Sequence, residues 1–144
     1  MPIGIGEAFQ TVGLEREFSA GETALNCAAL SPDGALLIAG DADNNAQVWD
    51  AKTGELKMTL AGHTAELTAV AFSPDSSRIL TAARDNLVKV WDLNGKELLT
   101  LRGHTAEVTT AMFTQAGDRL DVLTAGRDGA AILWPTAPKD SPVD

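Results

Sequence analysis

Residues 62–92 read GHTAELTAVAFSPDSSRILTAARDNLVKVWD, and the fold follows from how this stretch divides. Leu67 to Phe72 is apolar and rich in β-formers, and Ser73-Pro74-Asp75-Ser76-Ser77 then turns the chain. Arg78 to Ala83 follows, then the turn Arg84-Asp85-Asn86, then Val88 to Asp92 with clear alternation. Just beyond, Asn94-Gly95 turns the chain into Lys96 to Leu101. Apolar spacing of two, with turn residues about every eight to twelve positions, speaks against helix and for short strands. The stretch reads as a four-stranded antiparallel meander.

The same features recur along the chain. The tryptophans Trp49, Trp91 and Trp134 are spaced by 42 and then 43 residues. Gly62-His63 returns as Gly103-His104, and Ser31-Pro32-Asp33 returns as Ser73-Pro74-Asp75, with Thr114 at the next register. A period near 42 carrying several features in fixed phase is a structural repeat. One such sheet cannot bury both its faces alone, whereas sheets stacked radially bury each other's, and that arrangement is a β-propeller.

The Gly-His and Trp-Asp pairs with this period resemble the WD40 repeat, over about residues 13 to 134. The expected fold is all-β, a WD40-like partial β-propeller of three four-stranded antiparallel blades. Residues 1–12 form an N-terminal extension and 13–18 an orphan outer strand. Blade one takes 19–61, blade two 62–102, and blade three 103–134 without its outer strand; 135–144 is a Pro-rich disordered tail. The first repeat has Ala20-Gly21 in place of Gly-His and Ala39 in place of a hydroxyl residue. The third ends in Trp134-Pro135 and carries two extra residues before its second strand.

The resemblance implies a structural tetrad in each complete repeat. His63, Thr81, Asp85 and Trp91 match it in the second, and His104, Thr124, Asp128 and Trp134 in the third. The first keeps only Asp43 and Trp49. A turn Asp accepts from the imidazole, which links to the hydroxyl, which meets the indole N–H, so a buried network satisfies every polar group. His, Asp and hydroxyl together also outline a hydrolase triad. The set occurs twice at equivalent places, neither hydroxyl lies in a GxSxG-like elbow, and no oxyanion-hole loop is evident. No catalytic residue and no enzyme activity are expected.

Other ligand chemistries fare no better. Asp41-Ala42-Asp43-Asn44-Asn45 begins like a calcium loop, but Ala46 and Lys52 stand where that loop needs Gly and Glu. An Asp/Asn-rich turn is the simpler reading. The two histidines each have a place in their own blade, and no cysteine cluster joins them, so no metal is expected. No glycine-rich phosphate cradle is present, and no cofactor is expected.

Composition bounds the partners. Eleven Lys+Arg against twenty Asp+Glu give a net charge of −9, with no basic face for phosphates, which disfavours nucleic acid and anionic membranes. The single cysteine, Cys27, rules out an internal disulfide and fits a reducing compartment. The first residues carry no charged-then-apolar leader pattern and no stretch approaches a membrane span, so a cytoplasmic protein is expected.

A protein partner is the expected ligand. By resemblance, the binding positions are Glu66, Thr68 and Arg84 in the second repeat, and Glu107, Thr109 and Arg127 in the third. The first supplies Ala24, Asn26 and Ala42. Arginine on a rigidly held loop suits carboxylates, and the plain alternative is that Arg84 and Arg127 pair with Glu66 and Glu107 as solvated surface charges. Three blades do not close a ring, since propellers typically have four to eight. Leu14 to Phe18 sits in the register of Leu56 to Leu60 and would serve as a donor strand. Ala130 to Trp134 would be the edge that accepts it, in a head-to-tail homodimer closing six blades. The expected function is a non-catalytic protein–protein interaction scaffold. The alternative is a structural segment completing a larger propeller, by oligomerisation or as the tail of a longer protein.

Overall fold

A computed structural model describes residue 13 and residues 16–136. They hold eleven strands and three antiparallel sheets. The first sheet is β1 (Leu25–Leu30), β2 (Leu36–Asp41), β3 (Ala46–Asp50) and β4 (Leu56–Leu60), in that spatial order. The second is β5 (Leu67–Phe72), β6 (Arg78–Ala83), β7 (Leu87–Asp92) and β8 (Glu97–Arg102), again in order. The third has three strands, β9 (Val108–Ala116), β10 (Arg119–Gly126) and β11 (Ala131–Pro135), with β11 at an edge. The sheets do not close into a ring.

Short sequence devices set each meander. At the turn into the third strand, Asp43-Asn44, Asp85-Asn86 and Asp128-Gly129 each put a left-handed residue after the aspartate, at φ 74°, 72° and 82°. Asn and Gly are the residues that tolerate this conformation. At the other end, Ser31 Oγ donates to Asp33 Oδ1 and accepts from the Leu36 N–H, and Ser73 does the same with Asp75 and Arg78. The aspartates of Trp-Asp hold the turn into the outer strand. Asp50 Oδ1 accepts from the Lys52 and Thr53 N–H groups, and Asp92 Oδ1 from those of Asn94 and Lys96. The third repeat has Pro135 at this place.

The third repeat also handles its extra residues differently from the Ser-Pro-Asp turns. β9 and β10 both lengthen, and Arg119 pairs with Ala116 across a two-residue turn of Gly117 and Asp118. Gly117 takes φ 62° there, as a tight hairpin requires of its first central residue.

Two apolar seams join the sheets. The first packs Ile38 and Val48 of blade one with Leu67, Val70, Phe72 and Ile79 of blade two. The second packs Leu80, Val88 and Val90 of blade two with Val108, Ala111, Phe113 and Val122 of blade three. Alternate residues of β5 serve different seams: Leu67, Val70 and Phe72 the first, Ala69 and Ala71 the second. Each large side chain buried in this way contributes about 1.5–3 kcal/mol. The backbones come close at Gly40, where a Cβ would lie 2.7 Å from Leu67 Cβ and 2.8 Å from Cys27 Sγ.

Of the expected orphan strand, the structure describes Gly13 and Arg16 to Phe18. Leu14 and Glu15 lie outside the described residues, as do residues 1–12 and 137–144 of the expected extension and tail. Arg16, Glu17 and Phe18 carry no strand pairing among the described residues. Phe18 instead packs on Trp49 of its own blade, ring centroids 5.8 Å apart, and Arg16 Nη1 donates to the Thr53 carbonyl.

Candidate protein-interaction face

The loops that carry the candidate face rest on two buried polar chains. In blade two, His63 Nδ1 lies 2.9 Å from Asp85 Oδ2, and His63 Nε2 lies 2.8 Å from Thr81 Oγ1. Trp91 Nε1 donates to the same Thr81 oxygen at 2.9 Å. The roles follow from valence. The carboxylate only accepts, so Nδ1–H donates to it; Nε2 then accepts from the hydroxyl, whose oxygen takes the indole proton. Blade three repeats the chain through His104, Asp128, Thr124 and Trp134, at 2.9, 2.7 and 2.8 Å. Each aspartate also anchors the loop after the histidine, by accepting from Thr64 N–H and Thr105 N–H respectively.

The electrostatics agree with a neutral imidazole in blade two. Burial pushes His63 below its ordinary range, against the opposing pull of the Asp85 carboxylate. Burial alone would raise Asp85, but the Thr64 N–H, the His63 ring and the Leu87 N–H hold it below the usual carboxylate range. The N–H groups of Thr105 and Ala130 lower Asp128 to about 2. The Thr81 and Thr124 hydroxyls are buried and committed at both ends, so neither can reach a substrate.

Blade one solves the same turn without a histidine. Asp43 accepts only an exposed hydroxyl, that of Thr23, at 3.1 Å. The buried anchor is Asp41, which the sequence reading passed over. Its Oδ1 accepts from the Asp43 and Asn45 N–H groups, and its Oδ2 from Gln47 Nε2. These bonds fill the carboxylate with the turn's own donors. The signal was available: an acid stands at the register of Ala83 and Gly126, where the other repeats carry small residues. Trp49 is buried at the tetrad register, facing Ala39 instead of a hydroxyl residue.

One backbone bond per blade brings the expected binding positions together. Arg84 N–H donates to the Glu66 carbonyl, Arg127 N–H to Glu107, and Ala42 N–H to Ala24, at 2.9, 2.8 and 2.9 Å. On this frame the side chains form a ladder. Arg84 Nε lies 3.5 Å from Glu66 Oε2, its Nη1 lies 3.3 Å from Glu107, and Arg127 Nε lies 3.1 Å from Glu107 Oε2. Arg84 thus bridges blades two and three. The pairs are exposed, and pairs of this kind are worth about 0–1 kcal/mol each.

Asn26, Thr68 and Thr109 behave otherwise. Asn26 Nδ2 donates to the Leu67 carbonyl at 3.4 Å, across the first seam. Thr68 Oγ1 donates to the Val108 carbonyl at 2.5 Å, across the second. The two therefore fasten blades together. Thr109, at the same register in blade three, turns to the Ala125 carbonyl of its own sheet. Also missed from sequence was buried Lys89, whose Nζ meets Glu97 at 2.9 Å and Thr100 at 3.1 Å beside His63.

Comparison with known proteins accords with this architecture. The family model described as WD domain, G-beta repeat, matches residues 14–50, 54–92 and 95–135. No curated protein matches the chain. WD40 repeats are generally protein-interaction scaffolds, typically without enzyme activity. With three matched repeats over most of its length, the chain belongs to the WD40 repeat family.

Proposed function

We propose that the chain is a non-catalytic protein-interaction scaffold whose binding face is the ladder Glu66, Arg84, Glu107 and Arg127. The observation that carries this reading is that the ladder crosses two blades on one face, on loops pinned by Asp85 and Asp128. Exposed pairs worth so little are readily exchanged. A partner presenting carboxylates competes with Glu66 and Glu107 for two guanidinium groups already set in place. A protein captured by the wild-type chain, then identified and purified, is titrated against the folded R84E/R127E variant. Lost or strongly weakened binding is expected, and wild-type affinity in that variant would remove this face.

A second reading is favoured by a separate observation. Leu25, Leu30, Met112 and Leu133 are exposed on the outermost sheets, although the same registers are covered inside the chain. On that reading the chain is a structural segment of a larger propeller.

A further inference from the structure

Beside its histidine, blade two carries a buried cation at a position where blade three has none. Lys89 pairs across the sheet with Thr81, whereas Ile132 stands opposite Thr124. The Lys89 side chain is 8% exposed, and its Nζ is fixed between Glu97 Oε1 at 2.9 Å and Thr100 Oγ1 at 3.1 Å. Glu97 is committed in turn, because its Oε2 accepts the Thr100 hydroxyl. The lysine stem lies against the residue before the histidine. A Cβ on Gly62 would stand 3.6 Å from Lys89 Cε and 3.4 Å from Glu97 Oε1. The charged groups that face the His63 ring are Asp85 on the β6–β7 turn, Lys89 on β7 and Glu97 on β8.

The hydrogens of this site are already fully used. Those on Nδ1, the Thr81 hydroxyl and the Trp91 indole make the bonds that run from Asp85 to Trp91. A proton added at Nε2 turns that acceptor into a donor. The Thr81 hydroxyl hydrogen then loses its acceptor on a residue that is 0% exposed. Blade three shares this constraint through Thr124, but blade two also sets Lys89 against the new charge. Burial lowers the His63 pKa from its ordinary 6.5, Asp85 opposes it, and Lys89 lowers it further against Glu97.

We propose that His63 is an acid-sensitive latch on the loop of residues 62–66, so that acid releases the blade-two half of the candidate face and spares the blade-three half; as regulation of binding, this rests on the interaction reading above. When the charged ring leaves its place, the loop goes with it. The Thr64 N–H then leaves Asp85, the Glu66 carbonyl leaves the Arg84 N–H, and the Glu66 carboxylate leaves the Arg84 guanidinium. Glu107 and Arg127 stay on the loops held by His104 and Asp128. The open loop takes up the proton at the ordinary 6.5 and the closed loop only at lower pH. Closure is therefore favoured above that value and weakens as pH falls below it.

Amide hydrogen exchange on the full chain tests this, followed by NMR from about pH 7.5 to 5.5, above the range in which carboxylates take up protons. Rates are corrected for the intrinsic pH dependence of exchange. Protection of the Thr64 and Arg84 amides is expected to fall as pH drops below 6.5, by as much as about tenfold per pH unit, the slope of one proton. Protection of the Thr105 and Arg127 amides is expected to stay level. Lys89→Met keeps the stem, removes the charge and is expected to shrink the fall. Glu97→Gln, at a partly exposed side chain, leaves Lys89 less neutralised and is expected to deepen it. Level protection at Thr64 and Arg84, an equal fall at all four amides, or the wild-type fall in either folded variant would overturn the latch. The measurement needs no partner, so its failure is distinct from wild-type affinity in the R84E/R127E variant, which removes the face itself.

Discussion

Thr68 donates its hydroxyl to the Val108 carbonyl across the seam between the second and third blades, 2.5 Å away, and Asn26 repeats the contact with Leu67 across the first. The first and second blades thus each carry a polar fastener that points forward to the next. It supplies the register that apolar packing alone leaves loose, since burial is non-directional.

Replacing Thr68 by Val keeps the volume and removes the donor. The Val108 carbonyl loses its seam partner, at about 0.5–1.5 kcal/mol. A urea midpoint lowered by that amount, with unchanged circular dichroism, is the expected outcome. An unchanged midpoint would show that apolar packing alone sets the seam.

The aspartates of the turns should rank by what they hold. Asp85→Ala leaves His63 Nδ1–H, the Thr64 N–H and the Leu87 N–H without their acceptor. The cost is about 1–3 kcal/mol for groups this buried. Asp41→Ala should cost a similar amount, because it loses two backbone donors and Gln47. Asp43→Ala removes only the exposed Thr23 contact and should fall within about 0.5 kcal/mol of wild type. Equal midpoint shifts for Asp85→Ala and Asp43→Ala would contradict this assignment.

Stability should fall on acidification in two stages. His63 has a folded pKa below its ordinary 6.5, with Asp85, Lys89 and Glu97 around it. The unfolded chain therefore takes up this proton first, and stability present above pH 6.5 is lost as pH drops below it. Asp85 and Asp128 are also depressed, Asp128 to about 2, so their contribution is present above 3.8 and is lost below it. Urea midpoints from pH 7.5 to 3 should trace both losses. His63→Asn should flatten the first and keep the second; an unaltered first stage in that variant would assign it elsewhere.

How much of this was legible depends on where each contact is made. The blades, the two full His-Asp-Thr-Trp sets and the Asp-Asn turns were readable because they recur in phase along the chain. The roles of Asn26 and Thr68 were not, because their acceptors lie on the next sheet and the pattern of their own strand says nothing of it. Asp41 was passed over for Asp43 because the missing histidine removed the marker that fixes the turn register. The contact of Phe18 with Trp49 was not readable either, because it joins rings far apart in sequence.

Both histidines belong to the frame of the blades, spent on Asp and Thr, with their ring nitrogens already committed. Long-range proton–nitrogen NMR of the two imidazoles at pH 7 tests this most directly. The structure predicts that both His63 and His104 are Nδ1–H tautomers, with Nε2 accepting from Thr81 and Thr124. An Nε2–H tautomer on either ring, or a signal averaged by exchange with solvent, would contradict it.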